Sequence, residues 1–178
     1  MPRLGDRLPV VSDGWGSPRD GGARLHRGAD WMYKRPSRVT VDQAHREHGS
    51  IAYEVPMGTP ALAAAAGTVR ELANTSRGHS VTIDHGGGWE TFYQHLYRWA
   101  PGLREGGRVS AGQVLGPVGH SPSEPNGIRH LHFAVWRDGV AVDPAPYAKT
   151  WRVIAVGAGA LTLVLAAFVG WGAWRLAR

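Results

Sequence analysis

Residues 129–136 read RHLHFAVW, and the periodicity of these eight residues decides the fold. Leu131, Phe133 and Val135 occupy every second position, with His130, His132 and Trp136 between them. In a strand, residues two apart share a face. The run therefore predicts a strand with one apolar face toward a core. Its other face carries two imidazoles side by side, roughly 6–7 Å apart at Cα. Two readings stay open at this level. The histidines are a solvated or core pair, or they hold and use a metal, and an H-x-H by itself does not separate the two.

The rest of the chain supports a mostly β domain. Its 178 residues suffice for one ordinary domain with its own core. Gly 25 and Pro 12, with 19% charged residues, indicate many turns. Short apolar runs bounded by turn signals predict strands near 51–55, 61–72, 79–84, 90–96, 113–118, 130–136 and 140–143. Ala61 to Ala66 is helical by propensity, but Pro60 and Gly67-Thr68-Val69 favour a strand leading into a turn. GGRVSAGQVLG (106–116) reads as a hairpin-like turn, residues 1–25 as a polar, turn-rich segment, and residues 34–50 as a charged surface loop. The chain has no cysteine, which excludes disulfides and thiolate zinc sites.

Of the net charge of +6, +4 comes from Lys149, Arg152, Arg175 and Arg178, so residues 1–148 carry only +2. A basic nucleic-acid-binding face is not expected. The four charges flank Val153 to Trp174, 22 residues without a charge. As a helix this run would be about 33 Å long, enough to cross a bilayer, with Trp151, Trp171 and Trp174 near its ends. The expected organisation is a domain over 1–148, with its core at about 25–144, and a C-terminal transmembrane anchor over 149–178. Ala155/Gly159 and Ala166/Gly170 have the small-xxx-small spacing of pairing helices, which suggests self-association or contacts with other membrane or virion proteins. The first sixteen residues lack an apolar h-region, so no signal peptide is read there. Positive charges on the two sides of the apolar run are nearly balanced, with a slight lean toward a cytoplasmic domain.

Nine histidines is a high count, and three contexts stand out: His26-Arg27-Gly28-Ala29-Asp30, Thr91 to Leu96 (TFYQHL), and His130-Leu131-His132. His26 and Asp30 share strand parity, but a straight strand would separate them by roughly 13 Å. Both could reach one metal only if the chain bends, and Gly28 permits a bend. Imidazole and carboxylate without thiolate suit a catalytic zinc with three protein ligands and an open position.

Together these phrases resemble the M23 peptidases, the lysostaphin- and LytM-type zinc enzymes. LHRGAD, TFYQHL, RHLHFAVW and the following VDP carry the resemblance over about Leu25 to Pro144. VPMGTPALAAAAGTV, GHSVTIDHGGG and GGRVSAGQVLGPVG fit as well. The resemblance implies an antiparallel β fold with an open groove and hydrolysis of peptide bonds in peptidoglycan. It makes His26, Asp30 and His132 the Zn2+ ligands and His95 and His130 the non-ligand catalytic histidines, without dividing the roles between those two. HRGADWMYKRP and RHLHFAVW resemble phage and prophage versions of the family. The expectation is then a membrane-anchored wall hydrolase that reaches the periplasm or cell wall, either as part of a phage particle or lysis system or as a bacterial enzyme anchored at its C-terminus.

The chain departs from the family pattern in three places. The segment between Asp30 and VPMGTP is longer than in compact members, GHSPSEPNGIR (119–129) replaces a small Ser/Thr/Gly-rich loop, and Arg19 to Leu25 holds no tyrosine. A competing reading is a catalytically silent wall-binding or regulatory module. A third is a related zinc carboxypeptidase. His85 is expected to be structural, Trp89, Trp99 and Trp136 to be packing or rim residues, and Tyr93 to share the parity of His95.

Overall fold

The computed structural model describes residues 1–123 and 127–147. The first elements are β1 (Val10–Asp13), β2 (Pro18–Arg19), β3 (Arg24–Leu25), β4 (Ala29–Lys34), the helix α1 (Val41–Arg46) and β5 (Tyr53–Glu54). There follow β6 (Pro60–Leu62), β7 (Gly67–Thr75), β8 (Gly78–Gly86), β9 (Trp89–Leu96), β10 (Arg108–Val109) and β11 (Val114–Pro117). The last two are β12 (Leu131–Arg137) and β13 (Val140–Val142). The fold is mostly antiparallel β.

The main sheet runs β1–β4–β12–β9–β8–β7–β10, with β13 added to β12 and β5 to β4. β12, the strand with the alternating pattern, lies between β4 and β9. Leu131, Phe133 and Val135 are buried, as the periodicity requires. They join Val69, Val81, Ile83 and Tyr93 of the same sheet in one core cluster. Ala61, Ala63, Ala64, Leu115 and Val118 contribute to that cluster from around the small β6–β11 sheet. One face of the main sheet is thus covered, and the other is left for a groove, as antiparallel sheets permit.

The expected strand 61–72 is two strands. β6 pairs with β11 and β7 pairs with β8 and β10, so the alanines between them cross from one sheet to the other. At the crossing the Ala63 amide donates to the Gln113 carbonyl at 2.9 Å, and the Ala64 amide donates to the buried Tyr93 hydroxyl at 2.6 Å. The GGRVSAGQVLG turn is not a hairpin either, because β10 and β11 pair with different strands.

The stretch 34–50 is not all loop. Thr40 caps α1 by accepting from the Gln43 amide at 3.2 Å. The sequence Thr40-Val-Asp-Gln43 has the S/T-x-x-E/Q signature of a helix start. Residues 1–25 also contribute structure, since β1 extends the main sheet and Met1 is buried. Among the described residues no helix is long and apolar enough to cross a membrane. The expected span Val153–Trp174 lies outside them.

Tyr93→Phe strands the buried Ala64 amide. The expected cost is about 1–3 kcal/mol, read as a lower urea midpoint at unchanged m-value. An unchanged midpoint would contradict this role for the hydroxyl.

Candidate active site

The β4–β12 register places Asp30 opposite His132. Side chains directly opposite in an antiparallel pair share a face. His26 precedes β4, and its amide donates to the Ser17 carbonyl at 2.9 Å. The bend between His26 and Asp30 falls where Gly28 permits it. Gly28 is required by close approach: an added Cβ would lie 2.7 Å from the Phe133 carbonyl oxygen and 2.8 Å from the His132 ring.

Three lone-pair atoms converge. His26 Nε2 is 2.9 Å from His132 Nδ1, Asp30 Oδ1 is 3.0 Å from His132 Nδ1, and Asp30 Oδ1 is 3.3 Å from His26 Nε2. Bonds of about 2.0–2.2 Å in tetrahedral geometry would separate such atoms by about 3.3–3.6 Å. The cluster therefore fits a zinc ion to within a few tenths of an ångström, and it is the one His/Asp group of metal-holding geometry among the described residues. His26 Nδ1–H donates to the Gly14 carbonyl at 2.9 Å, which fixes the tautomer and leaves Nε2 as a lone pair. Burial lowers the His26 pKa, keeping the ring neutral. Burial alone would raise Asp30, but the adjacent His132, His130 and His26 rings bring it down to about 2.

His95 arrives by a different device. By alternation Tyr93 and His95 should share a face, and they do not. The β8–β9 register advances from Val81↔Tyr93 to His79↔Leu96, so β9 carries an extra residue there. His95 sits in that bulge with φ +66°, left-handed and costly for a non-glycine residue. Tyr93 stays in the core, while Gln94 and His95 both line the groove. The His95 and His130 ring centroids are 4.4 Å apart.

Both rings are oriented by backbone. His95 Nδ1–H donates to the Arg77 carbonyl at 2.8 Å, and His130 Nδ1–H to the Ile128 carbonyl at 2.7 Å. Each therefore keeps Nε2 free of its own anchor, and His130 Nε2 lies 3.8 Å from Asp30 Oδ1. Gly119 ties the two segments together: its amide donates to the His95 carbonyl at 2.6 Å, and its carbonyl accepts from the His130 amide at 3.2 Å. Burial and the neighbouring His130 push the His95 pKa down to about 3.

The five residues open onto a groove of about 1410 Å³ whose walls include Phe92, Gln94, Trp136, Ser121 and Ser123. A second hollow of about 800 Å³ continues it past Asp30 and His130, bordered by Ser50, Tyr53 and Ile128. Two of the three departures from the family pattern thus reach the groove, the 119–129 loop directly and the longer segment through Ser50 and Tyr53. His85 is structural as expected, bonded to the Ala66 carbonyl and Thr91 Oγ1. Trp99 donates to the Ser80 carbonyl and packs on His79, away from the site. His48, within the stretch read as a charged surface loop, stacks on His120 at 4.2 Å.

Sequence reasoning missed Arg19. Its Nη2 donates to Asp30 Oδ2 at 3.0 Å, and its Nη1 pairs with Asp13. No local spacing announces this, because the contact is made by the β2–β3 hairpin folding back.

The profile of Peptidase family M23 matches residues 46–144, more than half of the 178. The chain belongs to peptidase family M23. Members are zinc metallopeptidases, and the cluster described above has the corresponding donor set. His26 and Asp30 precede the matched residues, and the β4–β12 pairing is what brings Asp30 to His132. The chain is 36% identical over 104 residues to a DD-carboxypeptidase/endopeptidase of Neisseria meningitidis, covering 58% of this chain and 23% of that relative. It is 28% identical over 162 residues to the L-Ala–D-Glu endopeptidase of Bacillus subtilis, covering 82% and 43%. The catalytic domain of lysostaphin from Staphylococcus simulans superposes with a TM-score of 0.55 at 22% identity, covering 82% of this chain and 95% of that one. The chain spans about a quarter of the length of the first curated relatives it matches.

The His95 value has a consequence for stability. The unfolded ring titrates near 6.5, so between about 6.5 and 3 the unfolded chain takes up the proton first. Neutral His95 therefore favours the fold fully above about pH 6.5, and this is lost as pH falls. His95→Asn, which tolerates a left-handed backbone, is expected to lose less stability than the zinc-free wild type between pH 7.5 and 5. Equal losses in denaturant titrations would contradict this.

Proposed function

We propose that this chain is a zinc endopeptidase that cuts peptide bonds in peptidoglycan. The observation that carries the reading is the convergence of His26, Asp30 and His132 with two oriented, non-ligand histidines across an open groove. All five lie where an extended peptide could pass, and the endopeptidase relatives act on the same class of bond. A silent module has no need of two histidines pre-oriented beside an intact ligand set.

When bound, zinc polarises the scissile carbonyl and acidifies water. The chain's own groups do the rest. His95 and His130 flank the reacting bond, and one of them takes the proton of the attacking water and passes it to the leaving amine. The other, as an imidazolium with both ring nitrogens protonated, donates from Nε2 to the oxygen on which charge develops. Arg77 and Ile128 keep both rings in register through their carbonyls. The uncharged Val153–Trp174 run anchors the domain to a membrane facing the wall, and the phage-like phrases support a place in a phage or prophage lysis system.

The full chain in detergent is expected to release peptides from peptidoglycan, to stop on chelation and to recover with zinc. His132→Ala and Asp30→Ala should lose both zinc and activity. His95→Asn and His130→Asn should keep zinc and lose about 10²–10⁴ in kcat. Full activity in His132→Ala, or bound zinc with no turnover on several muropeptides, would overturn the proposal.

A further inference from the structure

Asp30 gives one carboxylate oxygen to the ligand cluster and the other to an arginine. Oδ1 faces His26 and His132, while Oδ2 accepts from Arg19 Nη2 at 3.0 Å. The same guanidinium pairs through Nη1 with Asp13 Oδ2. Asp13 and Asp30 lie opposite each other in the β1–β4 register, so the fork of Arg19 spans two carboxylates on neighbouring strands. Asp13 Oδ2 also lies 3.9 Å from His26 Nδ1.

We infer that Arg19 is a positioning residue for the metal: it holds Asp30 as a one-oxygen ligand with Oδ1 turned toward the two imidazoles. The inference rests on reading His26, Asp30 and His132 as the zinc site.

The geometry carries it in three steps. A carboxylate bound through one oxygen is free to rotate, or to turn both oxygens onto the ion. A charge-assisted bond to Oδ2 from a rigid fork removes that freedom. Partners of this kind, one bond removed from a metal, typically contribute a factor of 10–100 in affinity. A bare cation this close would repel a divalent ion and offset the gain, but the Asp13–Arg19 unit carries no net charge, so the orientation comes without net repulsion. Finally, Asp13 and Arg19 belong to the segment before the residues matched by the family profile. Arg19 also lines the groove. The N-terminal strands therefore act on the metal through Asp30 while forming part of the substrate wall.

The test is the zinc dissociation constant of the full chain in detergent, measured by competition with a chromophoric chelator. Thermal unfolding of the zinc-free protein is followed in parallel. Arg19→Ala is expected to bind zinc 10–100-fold more weakly without a matching loss in melting temperature. Arg19→Lys keeps the charge without the fork and should fall between wild type and Arg19→Ala. Asp13→Asn leaves the arginine uncompensated and should also weaken binding. With cobalt in place of zinc, Arg19→Ala should change the visible d–d bands. Arg19→Ala or Arg19→Lys with the wild-type constant, or tighter binding in either, overturns the inference. If Arg19→Ala does not fold, Arg19→Lys decides alone. A wild-type chain that binds no zinc would instead overturn the zinc site itself.

Discussion

The site depends on one strand pairing. β4 and β12 lie antiparallel with Asp30 opposite His132, and this brings together residues about a hundred positions apart in the chain. A slip of one residue would turn Leu131 or Phe133 to the groove and His132 into the core. That register is held from the other side by burial of Leu131, Phe133 and Val135, so the hydrophobic effect on one face of β12 fixes how Asp30 and His132 meet on the other. Gly28 allows the two strands to close over this point, because any side chain there would meet the Phe133 carbonyl and the His132 ring.

The second constraint is the bulge at His95. A regular β9 would point His95 at the core, where Tyr93 and Leu96 are buried. The extra residue and the left-handed backbone turn it outward, beside His130. The strain is met by hydrogen bonds at both ends of the residue: the Gly119 amide on its carbonyl and the Arg77 carbonyl on its ring. Gly119 also accepts from the His130 amide, so one glycine sets the spacing of His95 and His130.

Much of this was legible in the sequence, and the exceptions have physical causes. Alternation in RHLHFAVW marked the core and groove faces of β12, because period-two burial is a local property. The resemblance to M23 peptidases singled out His26, Asp30, His95, His130 and His132, and the structure brings all five to one groove. Parity misled at Tyr93, since a bulge breaks alternation and Gln94-His95 contains no glycine to signal it. The alanine run was read as one strand because residues equally apolar along their length do not show where a chain changes sheets. The α1 cap at Thr40 was readable but outweighed by the charged composition around it. Arg19 was not readable, because its partners Asp13 and Asp30 meet only after three strands have folded.

The division of the histidines into ligands and non-ligands is tested most directly by zinc K-edge absorption on the zinc-loaded full chain. One zinc per chain is expected, with a first shell of nitrogen and oxygen that includes two imidazoles. That shell should be unchanged in His130→Asn and disrupted in His132→Ala. A third imidazole in the wild-type shell that disappears in His130→Asn would contradict the assignment.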